Sequence, residues 1–316
     1  MKTAAGLLKT VAKATVPAPA RRWAKRHGDS ATAALQRILV PKMDFQNRER
    51  YANFNFSLLS KHTKKGTTAL MRVKNEASKI YFSLTSILDV FDEVVLVDNG
   101  STDSTLEIVR RVKEQRDKTN KIKIFSYPFT ISRCGQEHWK TADDSIHSIV
   151  YYYNWALSRC SLQHVCKWDG DMVLQKASRA RFGQFLKQHL GQSRALWMIG
   201  GQTVYRDTEG NFWLAKGELI PEPRLFPYGY NPRFFKGEVY EVLSAEPRSE
   251  TRMMDGVSFF ELKFADEDEF SHWTSSEIPT VRKRRELESF RLVRQGRIDV
   301  ARFDRLPTDF LEQQLS

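Results

Sequence analysis

The hydrophobic order of the chain changes character twice along its 316 residues. From Thr67, short apolar runs alternate with amphipathic stretches. "TTALMRV" (67–73) is apolar and ends in Lys74-Asn75-Glu76. Ala77, Ile80, Leu84, Ile87 and Leu88 then recur at helical spacing. "EVVLV" (93–97) is continuously apolar and rich in β-branched residues, which predicts a strand buried on both faces. "DNGSTDST" predicts a loop, and Ser104 with Glu107 predicts a capping box that opens a helix through Leu106, Val109 and Val112. "KIKIFSY" (121–127) predicts a third strand, Ile146 to Leu157 a helix, and "HVCKW" (164–168) a fourth strand. This alternation has the spacing of βαβ units, so it predicts an α/β fold with a mostly parallel, buried sheet and right-handed crossovers. After Leu174 the alternation weakens. "RALWMIGGQTVYRD" and "NFWLAKGELI" predict two strands joined by the turn "DTEGN". "EPRLFPYGYNPRFF" (222–235) predicts an irregular binding loop, and "VSFFELKFADEDEFSHW" (257–273) a last strand running into an acidic loop.

Charge then divides the chain. The net charge is +12 with a pI near 9.6, which favours an anionic partner. The basic residues gather in the first 30 positions and in "VRKRRELESFRLVRQGR" (281–297), away from the βα core. Four segments are expected: a basic N-terminal extension (1–62), a half with regular strand–helix alternation (63–205), a half where the alternation weakens (206–280) and a basic helical tail (281–316). Ala4, Leu7, Leu8 and Val11 share one face of a short basic helix. A flexible basic tail, a helix lying on an anionic membrane surface and an organelle transit peptide are the three readings of that extension. No apolar run reaches the roughly 20 residues of a membrane span. Cys134, Cys160 and Cys166 lack the spacing of paired ligands and read as reduced thiols. The expected location is cytoplasmic, with the inner membrane face as a possible attachment.

The chemistry concentrates where the predicted parallel strands end, because ligands of open α/β sheets sit beyond those ends. Asn75/Glu76, Asp98/Asn99 and Asp169/Asp171 all fall there. In an extended stretch Asp169 and Asp171 point the same way, with Gly170 permitting a tight turn. Two close carboxylates repel, and a hard divalent cation such as Mg2+ or Mn2+ is an apt compensation. A bare Asp-Gly-Asp is otherwise an ordinary solvated turn.

These motifs together resemble the family 2 glycosyltransferases, which have the GT-A fold. The resemblance rests on "RVKNEASKI", "ILDVFDEVVLVDNGSTDSTLEIV" and "YNWALSRCSLQHVCKWDGDMVL", and covers roughly residues 67–175. It implies a GT-A type Rossmann-like domain, with Asp98 at the nucleotide base and Glu76 near base or ribose. It implies Asp169 and Asp171 on the ribose and on a metal ion that holds the diphosphate. "EPRLF" is similar to an acceptor-side segment of related transferases; Glu222 and Arg224 serve the substrate there or form a structural ion pair. Relatives place a histidine near the end of the last strand as a further metal ligand. Here Glu261 stands at about that position and His272 follows eleven residues later.

The implied reaction moves a sugar from a nucleotide-diphosphate donor to a glycan or lipid-linked acceptor, in cell-surface polysaccharide or glycolipid synthesis. A carboxylate takes the acceptor proton, with inversion at the anomeric carbon. Asp255 and Glu222 lead Asp266 and Glu267 as that base, and Lys216, Arg224 or Arg233 meets the departing phosphate. Two other classes were weighed. A sugar-phosphate nucleotidyltransferase calls for a glycine-rich loop after the first strand, and "MRVKNEAS" has no glycine. A nucleic-acid-binding protein calls for basic residues interleaved with exposed aromatics, whereas the charge gathers at the termini, so no nucleic acid partner is expected.

Overall fold

A computed structural model describes residues 43–58, 64–189, 195–217, 219–228, 232–238, 240–244, 250–264 and 281–316. The expected helix through Ala4–Val11, and the candidates Asp266, Glu267 and His272, lie outside these residues.

In chain order the elements are β1 (Met43–Phe45), β2 (Phe56–Leu58), β3 (Lys64–Val73), α1 (Ile80–Ile87), β4 (Glu93–Asp98), α2 (Thr105–Arg116) and β5 (Ile122–Ser126). Then follow α3 (Gln136–Lys140), α4 (Ile149–Leu157), β6 (Leu162–Lys167), β7 (Met172–Leu174), α5 (Lys176–His189), β8 (Leu196–Arg206) and β9 (Phe212–Ala215). The last are β10 (Ile220–Pro227), β11 (Arg233–Lys236), β12 (Glu241–Ser244), β13 (Thr251–Lys263), α6 (Val281–Arg294), β14 (Phe303–Arg305) and α7 (Phe310–Gln313).

Ten strands form one sheet, ordered β14-β9-β8-β10-β6-β3-β4-β5, with β13 paired to β7 and β8. The four strands read from the alternation, β5-β4-β3-β6, pair parallel. Their side chains obey the period of two. Val94 and Leu96 join one core cluster, under α1, α2 and α5. Val95 and Val97 join the other, under α4. The continuous apolar run of β4 is thus explained by helices on both faces, and all six of its residues are buried.

The second half is mixed rather than parallel. β10 runs antiparallel between β6 and β8, β9 returns antiparallel along β8, and β13 lies parallel to β8. The segment 222–235, predicted as an irregular loop, is therefore a central strand followed by a hairpin strand. Three prolines lie in β10, and its pairing with β8 slips between Pro223 and Leu225. Proline removes a ladder donor and is normally kept to edges or bulges. Its presence misdirected the reading, and the register slip is the accommodation.

Both flanks enter the body of the protein. Phe56 and Leu58 are buried against Tyr151 and Trp155 of α4, so the expected extension yields its last part to the core. β14 pairs with β9 at the sheet edge, and Val293 of α6 packs with Tyr205 and Phe303. Among the described residues no helix is long and apolar enough to cross a membrane.

Leu58 is 1% exposed. Leu58→Ala should cost about 2–5 kcal/mol of stability by urea unfolding. A loss below about 0.5 kcal/mol, the size of a surface effect, would show that residues 43–58 are loosely attached.

Candidate active site

The rim at the C-terminal ends of the parallel strands is stitched from two loops. Asn75 takes a positive φ of 55°, and its Oδ1 accepts from Thr102 N–H at 2.8 Å. Asn75 N–H donates to Ser101 Oγ, Glu76 N–H to Thr105 Oγ1 and Ala77 N–H to Asp103 Oδ2. Asp103 Oδ1 also accepts from Thr105 N–H at 3.0 Å, so Asp103 caps α2 where a capping box from Ser104 was predicted. Asp98 closes β4, 2% exposed, and its carboxylate accepts from the N–H groups of Gly100 and Ser101 at 3.1–3.3 Å. It acts as a loop cap in this structure. Register places Asp98 opposite Val73 on β3, which in turn neighbours β6. Asp98 and the Asp169–Asp171 turn are thus two strands apart, roughly 10 Å laterally.

That turn is not the extended stretch predicted. Met172 N–H donates to Asp169 O at 3.2 Å, closing a turn, and Ser83 Oγ–H donates to the same oxygen. A Cβ on Gly170 would lie 3.0 Å from Glu76 Cγ and from Val73 Cγ1, so a larger residue would have to push these side chains aside for the turn to sit against Glu76. Glu76 itself pairs with Lys79 Nζ at 3.0 Å. Trp168 is fully buried and its Nε1–H donates to Met172 O, a core role.

Each aspartate has its own cation. Asp169 is met by Arg224 Nη1 at 2.7 Å and Arg72 Nη2 at 3.5 Å. Asp171 is met by Lys263 Nζ at 2.6 Å. Between them runs a connected series of ion pairs. Arg224 also holds Glu222 at 2.7 Å, Glu222 and Glu261 share Arg282, and Glu261 holds Lys263 at 3.0 Å. Lys167 approaches Glu222 at 3.7 Å, and Glu286 ties Arg282 to Lys283. Arg224 is 1% exposed, and its guanidinium lies 5.0 Å from the Phe259 ring centroid. Arg72 stacks on Tyr153 with 3.3 Å from its Cζ to the ring centroid. Its Nε and Nη1 have no hydrogen-bond partner among the described residues.

The charges set the acid–base character of the group. Burial opposes ionisation of Asp169, but Arg224, Lys167 and Arg72 overcome it and hold its carboxyl well below the usual range. Glu222 and Glu261 are likewise buried, yet Arg224, Lys167 and Arg282 on one, and Lys263 and Lys283 on the other, keep them low. Such carboxylates stay ionised and accept protons poorly. Glu241 is the opposite case. Burial lifts its carboxyl above the ordinary value despite Lys167 and Arg72 nearby.

The sequence-predicted residues thus separate. Glu76, Asp98, Asp169, Asp171, Glu222 and Arg224 come together at or beside the rim. Asp255 does not: it is exposed on β13, six residues before Glu261, about 20 Å along the strand. Lys216 pairs with Asp304 at the far edge of the sheet. Arg233 stacks on Phe235. The residues missed were Lys167, Glu241, Lys263 and Arg282. Lys167 stands two positions before Asp169 on an alternating strand, and Arg282 precedes Glu286 at helical spacing. Either pattern was legible.

The expected divalent ion fits this arrangement poorly. The oxygen donors have the right chemistry. However, Arg224 and Lys263 already occupy the two aspartates, and among the described residues no three His, Cys, Asp or Glu side chains gather as a shell. A separate cleft lined by Thr85, Leu88, Asp89, Gln115, Arg116 and Lys118 opens at the far ends of α1 and α2, away from the charged rim.

Residues 68–128, from β3 to just past β5, match the model of glycosyl transferase family 2. No curated protein sequence matches the chain. Among solved structures, S. aureus TarS 1–349 aligns with a TM-score of 0.38 at 13% identity, covering 62% of this chain and 60% of that one. Glucosyl-3-phosphoglycerate synthase from Mycobacterium tuberculosis, solved with Mn2+, uridine diphosphate and glucosyl-3-phosphoglycerate, aligns at 0.28 with 18% identity, covering 45% and 44%. A form of the same enzyme holds Mg2+ and uridine diphosphate. The chain spans less than two thirds of either protein's length. The matched segment supplies Glu76, Asp98 and both rim loops, and over it the chain is similar to glycosyl transferase family 2.

Proposed function

We propose that the chain transfers a sugar from a nucleotide-diphosphate donor to a hydroxyl of a glycan or lipid-linked acceptor. One observation carries this reading. The carboxyl ends of the parallel strands, inside and beside the family-matched segment, hold an ionised carboxylate, Asp169, between two buried arginines, Arg224 and Arg72. Carboxylates there accept from base and ribose groups, while guanidiniums match the oxygens of a leaving diphosphate. Asp98 already satisfies two backbone N–H groups, so it shapes the base pocket through its loop as well as through its remaining lone pairs.

Acceptor activation needs a base whose proton affinity lies near the working pH. Glu222 is held too low and Asp255 lies too far along β13. Glu241, raised by burial and close enough to feel Arg72, Lys167 and Asp169, is our choice. Removing the acceptor proton on the face opposite the leaving diphosphate gives inversion. No step is routed through a divalent ion, and the site's own cations balance the departing charge. Attachment of residues 1–42 to an anionic membrane surface would bring a lipid-linked acceptor within reach.

Three outcomes test this. Screened with sugar donors carrying uridine or guanosine diphosphate, the protein should release one nucleoside diphosphate. Asp169→Asn should abolish that release in protein that still unfolds cooperatively, at a midpoint lowered by the loss of one Arg224 partner; release at the wild-type rate would end the assignment.

Glu241→Gln should lower the rate by about 10²–10⁴ without weakening donor binding. The wild-type rate should rise with pH through the elevated carboxyl value. Because charging a carboxyl of raised pKa destabilises the fold, the variant should be no less stable than wild type at pH 8. An unaltered pH profile would remove Glu241 from the reaction.

The low carboxyls of Asp169, Glu222 and Glu261 contribute stability that is complete above the ordinary value of about 4 and is lost as pH falls below it. Arg224→Met should cost about 3 kcal/mol at pH 7 and flatten that acid loss. Urea unfolding at a series of pH values measures both.

A further inference from the structure

We propose that Lys263 is the built-in cation of this site: its ammonium sits between Asp171 and Glu261, where a divalent ion would be held, and meets the substrate diphosphate in its stead. The inference rests on the glycosyl-transfer reading and adds the means of charge neutralisation.

The placement is specified by the fold. Leu262 N–H donates to Asp171 O at 2.8 Å, and Glu261 pairs with Met172 in the β13–β7 register. The end of β13 is thereby locked beside the Asp169–Asp171 turn. Phe260, Leu262 and Phe264 alternate into an apolar cluster with Phe310 and Leu311 of α7. On the opposite face Phe259 belongs to the main core, while Glu261 and Lys263 follow at the same period. The apolar row turns ionic just where it passes Asp171. Lysine is almost never buried without a partner. Lys263 is 6% exposed and has two carboxylates, at 2.6 and 3.0 Å.

A divalent ion bound by Asp171 and Glu261 would share contact distance with that ammonium. Like charges so close repel strongly, so the ion enters only if Lys263 leaves. One ammonium carries half the charge of a divalent ion. Arg224 supplies the remainder from the Asp169 side, and a lysine is an established way to hold phosphate as a point charge. Glu261 Oε2 is buried, with Arg282 Nη2 at 3.7 Å and no hydrogen-bond partner among the described residues, so it keeps capacity to accept from a substrate hydroxyl.

The test uses the full chain, with Lys263→Met and Lys263→Arg beside wild type. Mn2+ alone is titrated against each, with free Mn2+ read by electron paramagnetic resonance. Thermal shifts with uridine and guanosine diphosphate are then measured in EDTA and in Mn2+. Wild type should bind Mn2+ weakly and show the same nucleotide shift in both media. Lys263→Met should bind Mn2+ roughly tenfold more tightly, and its nucleotide shift should appear only with Mn2+. Lys263→Arg should behave as wild type. Tight Mn2+ binding by wild type, or a wild-type nucleotide shift that vanishes in EDTA, would overturn the proposal. Those wild-type measurements decide it even if a variant fails to fold. Absence of any nucleotide shift in either medium would instead defeat the glycosyl-transfer reading, while the Mn2+ titrations still judge Lys263.

Discussion

The structure turns on a guanidinium taken out of water. Arg224 is nearly inaccessible, and a lone charge there would cost several kcal/mol. Asp169 and Glu222 are what make its burial tolerable, one on each side. To reach both, Arg224 must come from a strand lying directly beside β6, which ends two residues before Asp169. β10 is that strand. The same demand explains why a proline-rich stretch is drawn into the middle of a sheet instead of looping over its surface.

From this pairing the rest of the charged group propagates. Glu222 has carboxylate capacity to spare, so it recruits Lys167 and Arg282. Arg282 in turn reaches Glu261, and Glu261 holds Lys263 against Asp171. Arg224, Glu261, Lys263 and Glu286 are buried, while Asp169 and Arg282 stay partly open to solvent, and removal of any member takes a partner from the next. Pre-organised charge of this kind does not have to reorient when a leaving group becomes negative. The neighbouring rim loops add rigidity of another sort, since Asn75, Ser101, Thr102, Asp103 and Thr105 spend their hydrogen bonds on one another's backbones.

Legibility followed sequence locality. β3, β4, β5 and β6 were readable because each is a compact apolar run buried on two faces, and both core clusters draw on them. Asp98, Asp169 and Glu76 were readable because a strand end in an alternating fold is a fixed address. Whether Asp169 and Asp171 face one ion or two separate cations depends on residues 55 and 92 positions later, a fact no local pattern carries. The reading of β10 failed because proline and arginine each signal surface, and here both are interior. The basic run at 281–297 read as a helical tail; it is a helix, and its first turn is bound to the acidic group. Glu241 gave no signal at all; its raised carboxyl comes mainly from desolvation in the fold, with the Asp169 charge adding to it.

The contribution of α6 carries a consequence for biogenesis. Arg282 and Lys283 arrive more than a hundred residues after the Asp169 turn they help to balance. During synthesis the parallel strands β3 to β6 emerge and pair first. For that interval Glu222 and Glu261 lack the α6 cation that they share, Arg282. The sheet is therefore nearly complete before its charged group is, and that group closes only once α6 has been made and docked.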